Sequence, residues 1–263
     1  MSFTGGITPA GSSYRGVSEA ILKNCSFEKG AMFGRDGITL FNDLTGTGGL
    51  STYAGTGCTV RTIALAGGAL RASMDGTADD TAAWNHGDNY GSYLSFSTTS
   101  PNKLVFETRI RKSSVANNGL GIFAGLAEEA LAAASTLASS TAALADKDFI
   151  GFHVLQAAGG TVNFVWRKSG QTAQTIISGV ATMTADTWVR LGFVIDPLAP
   201  ASKACRVYVN GAEILSDAGT LTELAAATCP AGELLTPTFA CHVGSGAAAA
   251  TFDVDYYFAH QQV

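Results

Sequence analysis

The chain has 263 residues, a mass of 27.0 kDa, a net charge of −5 and a pI near 5.3. Charged residues make up 14% of it, against about 25% in an average globular chain, and 46% are hydrophobic. No run of Lys or Arg occurs, which excludes binding to nucleic acid through a clustered basic face.

No stretch reaches the roughly 18 apolar residues of a membrane span. The start, Met1 to Pro9, lacks the charged and apolar regions of a signal peptide, so synthesis in the cytoplasm without membrane insertion is expected. A chain of this length falls in the range of one large β domain and can bury a core without staples. Its low charge suits a secreted module with a neutral surface, or a subunit whose faces are covered by neighbours. Composition does not separate the two.

In chain order, residues 1–30 carry no sustained strand pattern and form an N-terminal arm. Such an arm packs on a partner or lies as a strap across its own domain. Tyr14, Arg15, Ile21 and Leu22 are its candidate partner contacts. From about Ile38, short alternating segments bounded by Gly, Asn, Asp, Ser and Thr predict an all-β domain over 31–263.

In Leu104–Arg111 a period of two predicts Leu104, Phe106, Thr108 and Ile110 inward, with Glu107, Arg109 and Arg111 in solvent. Further strands are predicted at Gly121–Leu126, Phe149–Leu155, Val162–Arg167, Thr187–Ile195 and Arg206–Val209. The unbroken apolar run of Phe149–Leu155 predicts a strand covered on both faces. Asn210-Gly211 between two apolar segments predicts a type I′ hairpin. Leu126–Asp146 and Asp217–Pro237 break the rhythm as excursions, each with room for a short helix, the second around Leu221–Ala227. In Phe252–Phe258 the residues Phe252, Val254, Tyr256 and Phe258 are expected on the core, and Asp253 and Asp255 in water.

The densest set of oxygen ligands is Asp75, Asp79, Asp80, Asn85, His86 and Asp88. It lacks the D-x-[DN]-x-[DN]-G loop with its twelfth-position glutamate, so a solvated loop is expected and no metal is assigned. Trp84 beside it is a core residue by default. Left exposed, it is a sugar-stacking platform, with Asn85, Asp88 and Tyr90 as further candidate glycan contacts.

The histidines His86, His153, His242 and His260 fit no metal pattern, and His153 reads as structural. The cysteines Cys25, Cys58, Cys205, Cys229 and Cys241 are odd in number and lack a C-x-x-C pair, which predicts free thiols. No G-x-S-x-G elbow or phosphate loop occurs. The adjacent pairs Glu128-Glu129 and Asp79-Asp80 point to opposite strand faces, so they do not serve glycoside hydrolysis. No catalytic residue and no cofactor is assigned, and a non-enzymatic protein is expected.

Trp188–Asp196 followed by Arg206–Gly211 resembles the W-x-x-L-x-F strand and V-Y-V-[DN]-G hairpin of the concanavalin A-like lectin/glucanase superfamily, laminin-G-like modules included. Phe252–Ala259 looks like the last strand of such jelly rolls. The resemblance implies two curved antiparallel sheets and not an activity. The E-[ILV]-D-x-x-E strand of the hydrolases is missing, so glucanase activity is not carried over. The whole chain, including Phe106–Arg109 and Phe123–Glu128, also looks like jelly-roll capsid decoration proteins of tailed bacteriophages.

The expectation is an all-β antiparallel jelly-roll β-sandwich, concanavalin A-like, with a short arm and one or two small helical excursions. The second resemblance implies a virion protein on the outer capsid surface, bound to a major capsid protein and closed as a homo-oligomer such as a trimer. The alternative is a lectin-like module whose partners are surface glycans.

Overall fold

A computed structural model describes residues 18, 21, 37–46, 50–65, 68–77, 80–86, 94–99, 102–116, 119–128, 136–137, 144–171, 174–244 and 248–262. Alternating apolar residues make these segments strands, and the order is β1 (Gly37–Asn42), β2 (Leu50–Ala54), β3 (Cys58–Ile63), β4 (Ala69–Met74), β5 (Thr81–His86), β6 (Leu104–Lys112), β7 (Leu120–Ala127), β8 (Phe149–Val154), β9 (Thr161–Arg167), β10 (Gln174–Thr182), β11 (Val189–Ile195), β12 (Cys205–Val209), β13 (Ala212–Gly219), the one-turn helix α1 (Leu221–Leu224), β14 (Thr236–Val243) and β15 (Ala250–Gln262).

Two antiparallel sheets form. The first runs β13-β12-β11-β6-β15-β4-β3, and β1 also pairs with β15. The second runs β10-β9-β8-β7-β14-β5-β2. The long β15 carries β6 on one side, and on the other first β4 (Ala250 to Val254) and then β1 (Tyr257 to Gln262). The runs β11-β12-β13, β3-β4 and β7-β8-β9-β10 are consecutive in sequence, and elsewhere the chain crosses repeatedly between the sheets, as in a jelly roll.

The core is the space between the inner faces. Phe193 of the first sheet meets Phe106 at 5.4 Å and Phe164 of the second at 5.4 Å between ring centroids. Trp84 of β5 stacks on Phe239 at 5.7 Å and reaches Phe252 of the opposite sheet at 5.5 Å. Both sets lie in the 4.5–7 Å range of favourable aromatic pairs.

The predicted hairpin forms with φ of +51° at Asn210 and +82° at Gly211, the two positive values that a type I′ turn requires. Every residue of β8 is buried, as its apolar run predicts. Its Phe149 clusters with Phe123 and Val165 of the neighbouring strands, and Leu137 and Leu144 of the first excursion pack against this cluster. Leu137 and Leu144 form an antiparallel bridge within the first excursion, where a helix was one expectation. The second excursion holds α1.

Two expectations about facing are corrected. The register of β15 against β6 shifts between Val254 and Tyr256. This bulge inserts one residue and inverts the alternation beyond it. Phe252, Val254, Tyr257 and Ala259 therefore face the core, while Tyr256 and Phe258 join a separate cluster on the outer face with Val105, Val194, Tyr208 and Ile21. Glu107 and Asp253 are each 1% exposed, because Ser18 of the arm covers the first and two arginines close over the second.

Candidate functional site

At one end of the sandwich, the segment before β6, the turn after β9 and the loop after α1 enclose an open cavity of about 280 Å³. It is lined by Ser97, Thr98, Lys168, Ala225, Ala226, Ala227, Cys229, Ala231 and Gly232. Hydrogen bonds between the backbones of Leu94 and Leu235 (3.0 and 2.7 Å) tie the first segment down, and the Gly232 amide donates to the Phe96 carbonyl at 2.8 Å.

The loop after α1 is built by successive turns. Thr220 and Glu223 make a reciprocal capping box: the Thr220 amide donates to Glu223 Oε2 at 2.8 Å, and the Glu223 amide to Thr220 Oγ1 at 3.2 Å. The Cys229 amide then donates to the Ala226 carbonyl at 3.0 Å, and the Glu233 amide to that of Pro230 at 3.2 Å. Gly232, at φ +83°, supplies the left-handed residue that this last turn needs.

Lys168 Nζ stands 2.5 Å from Glu233 Oε1, and this contact raises its pKa. Its ammonium is therefore fixed at the wall and charged at neutral pH. The Cys229 thiol is pushed up to about 12, first by burial, so it packs and does not attack. Behind the wall, Asp148 accepts from the Ser169 amide at 2.9 Å. Burial raises its pKa, assisted by Glu128 and Glu233 nearby. The cavity thus offers an alanine surface, two hydroxyls and one held ammonium. These groups suit a small polyhydroxylated ligand with one apolar face.

The residues expected from sequence are placed elsewhere. Trp84 is 0% and Asn85 2% exposed, so neither presents a face to a glycan. Trp84 is a core residue because it fills the gap between Phe239 and Phe252. Asp88 and Tyr90 lie outside the described residues, as do Tyr14, Arg15 and Leu22. Ile21 is buried against its own domain, and at this point the arm is a strap.

Of the six clustered polar residues, for which a solvated loop and no metal were expected, Asp79 and Asp88 are outside the described residues, and Asp75 and Asp80 come together beside Gly57. Burial and then the Asp75 neighbour raise the pKa of Asp80. His86 turns inward, with Nδ1 2.5 Å from the Tyr257 hydroxyl. Among the described residues no group of three or more His, Cys, Asp or Glu fits a metal ion. Cys58, Cys205, Cys229 and Cys241 are free.

A second chemical feature lies on the outer face of the first sheet, where Arg71 and Arg111 donate to Asp253 at 2.6 and 2.7 Å and Arg109 to Asp255 at 2.9 Å. Arg109 and Arg111 also lie 5.0 and 4.7 Å from the centroid of the Trp188 ring. These guanidinium groups are engaged with carboxylates and an aromatic ring of the protein itself, so this face reads as an internally satisfied ion network. The cavity is the better candidate. Sequence reading marked its loop as an excursion, but Ser97, Thr98 and Lys168 come from distant segments and carry no local signal.

No family model and no curated protein sequence matches the chain. Solved structures do. The carbohydrate recognition domain of Emp47p superimposes with a TM-score of 0.56 at 10% identity, over 88% of this chain and 99% of that domain. Peanut lectin gives 0.56 at 11% identity over 87% and 99%. An endo-β-1,4-glucuronan lyase from Trichoderma reesei gives 0.54 at 12% identity over 84% and 94%. At such identities the likeness shows the fold, and the chain has the concanavalin A/legume-lectin-like jelly roll.

Proposed function

We propose that the protein is a non-catalytic carbohydrate-binding module that takes a sugar unit into the loop-end cavity. The observation that carries this reading is the cavity itself, lined by four alanines together with Ser97, Thr98 and Lys168, whose side chains can hydrogen-bond a ligand. The lectin-like fold supports it, since the solved neighbours include the carbohydrate recognition domain of Emp47p and peanut lectin.

At about −0.3 kcal/mol per heavy atom, a single hexose of a dozen such atoms gains about −4 kcal/mol, or a Kd near millimolar. Binding is therefore to be sought with multivalent display. A glycan array probed with the protein clustered on beads, with and without Ca²⁺, is expected to show a restricted set of hits that Ala226→Trp abolishes. An array without hits, or hits indifferent to Ala226→Trp, overturns the proposal.

A second reading is favoured by the 14% charge content: a virion protein that binds the outside of a phage head through neutral faces. It predicts saturable co-sedimentation with mature heads and none with immature ones. Turnover of any polysaccharide contradicts the non-catalytic part of both readings.

A further inference from the structure

At one edge of the sandwich the chain passes from the second sheet to the first between β2 and β3, and back between β4 and β5. The two connections are tied together, since the Gly55 amide of the first donates at 2.9 Å to the carbonyl of Thr81, where β5 begins. Asp75 and Asp80 stand at the two ends of the second connection, and their carboxyl groups converge on Gly57 of the first. A Cβ at Gly57 would collide with Asp75 Oδ2 and stand 3.0 Å from Asp80 Oδ2. Glycine, here at φ +79°, leaves that space to the oxygens.

Both groups are held in place by the backbone. The Thr77 amide donates to Asp75 Oδ1 at 2.8 Å and leaves Oδ2 toward Gly57. The Asp80 amide donates to the Thr77 carbonyl at 3.3 Å, and the Asp80 carbonyl accepts from the Val243 amide at 2.9 Å. Asp80 is 6% exposed, and its buried Oδ2 has no hydrogen-bond partner among the described residues. No lysine or arginine among the described residues acts on either carboxyl group. A buried carboxylate oxygen that lacks a donor and faces a second carboxylate calls for a proton or a cation. The remaining titratable neighbour is Cys58, whose thiol donates to Met74 Sδ at 3.7 Å. It is pushed up to about 11, first by burial and then by the two aspartates, so it offers no thiolate to a soft metal.

We propose that Asp75 and Asp80 together bind one hard divalent cation, Ca²⁺ or Mg²⁺, which staples the two connections and with them the edges of both sheets. Two carboxylate oxygens converging on one small space suit such an ion, whose double charge balances the pair. Two carboxylates fall short of a full protein cage, so water supplies much of the coordination shell and the affinity is modest, with a Kd of about 0.1–1 mM. This inference is independent of the carbohydrate reading.

The test is thermal unfolding of the full chain at neutral pH in chelator, in calcium chloride, in magnesium chloride, and in sodium chloride of the same ionic strength. At about 10 mM, the cation that fits is expected to raise Tm by about 3 °C or more over sodium chloride. The larger of the calcium and magnesium shifts identifies the ion. Asp80→Asn relieves the facing charges, so in chelator it is expected to melt above the native chain while losing the response to the cation. The loss is then read from a folded variant. Asp75→Asn is expected to lose the response as well. A Tm that neither divalent ion moves overturns the proposal and leaves the pair sharing a proton. It is equally overturned by a shift that sodium chloride reproduces, or by one that persists undiminished in Asp80→Asn.

Discussion

Lys112 shows most plainly how one residue is shaped by its surroundings. It ends β6 pointing between the sheets, 0% exposed, where Nζ donates to the carbonyls of Leu120 at 3.1 Å and Gly159 at 2.7 Å. Burial lowers its pKa to about 8. Between that value and the unfolded value of about 10.5 the unfolded chain binds more protons, so this residue's contribution to stability rises with pH. Denaturant titrations from pH 7 to 9 are expected to show the native chain gaining relative to Lys112→Met as pH increases; a parallel dependence contradicts the assignment.

Asp80 titrates in the opposite sense. Its raised pKa means that the folded state holds its proton more tightly, so its contribution is lost as pH rises through the folded pKa. Asp80→Asn keeps the amide analogue of the protonated form. It is expected to raise the melting temperature at pH 7–8 and to have little effect at pH 3.

At the scale of elements, β7 and β8 lie so close that only glycine fits at their crossing. A Cβ at Gly151 would stand 2.6 Å from the Gly125 Cα and 2.7 Å from the Ala124 carbonyl oxygen. Gly151→Ala is expected to cost about 2 kcal/mol or more in chemical denaturation, as overpacking against backbone does. Trp84→Ala, which leaves a hole between Phe239 and Phe252, is expected to cost about 3–5 kcal/mol.

The sequence made these elements legible where local chemistry decides them. Period-two alternation marked β6, and Asn210-Gly211 marked the β12–β13 hairpin. It failed where a distant residue decides. The bulge after Val254 inverts β15 because of its pairing with β6, and nothing within Phe252–Phe258 announces it. Glu107 read as a solvent residue because its partner, Ser18, stands 89 positions away.

At the scale of the whole molecule, the strand rhythm and the Trp188–Gly211 pattern carried the jelly roll from sequence to structure. The candidate site did not travel with them, because three separated loops meet only when the sandwich closes. Trp84 was marked by its polar neighbours, yet an aromatic ring of that size at the middle of a strand is needed between the sheets. The inner faces thus hold the fold, the loops at one end are free to differ, and the outer face of the first sheet receives the arm. No helix among the described residues is long and apolar enough to cross a membrane.

The measurement that tests the central claim most directly is a chemical-shift titration of the isotope-labelled protein with a mixture of neutral hexose, N-acetylhexosamine and uronate oligosaccharides. Saturable shifts are predicted at Ser97, Thr98, Lys168 and Ala225 to Gly232, and none at Trp84. Shifts confined to another face, or no shift at millimolar sugar, would contradict a carbohydrate site at the loop end.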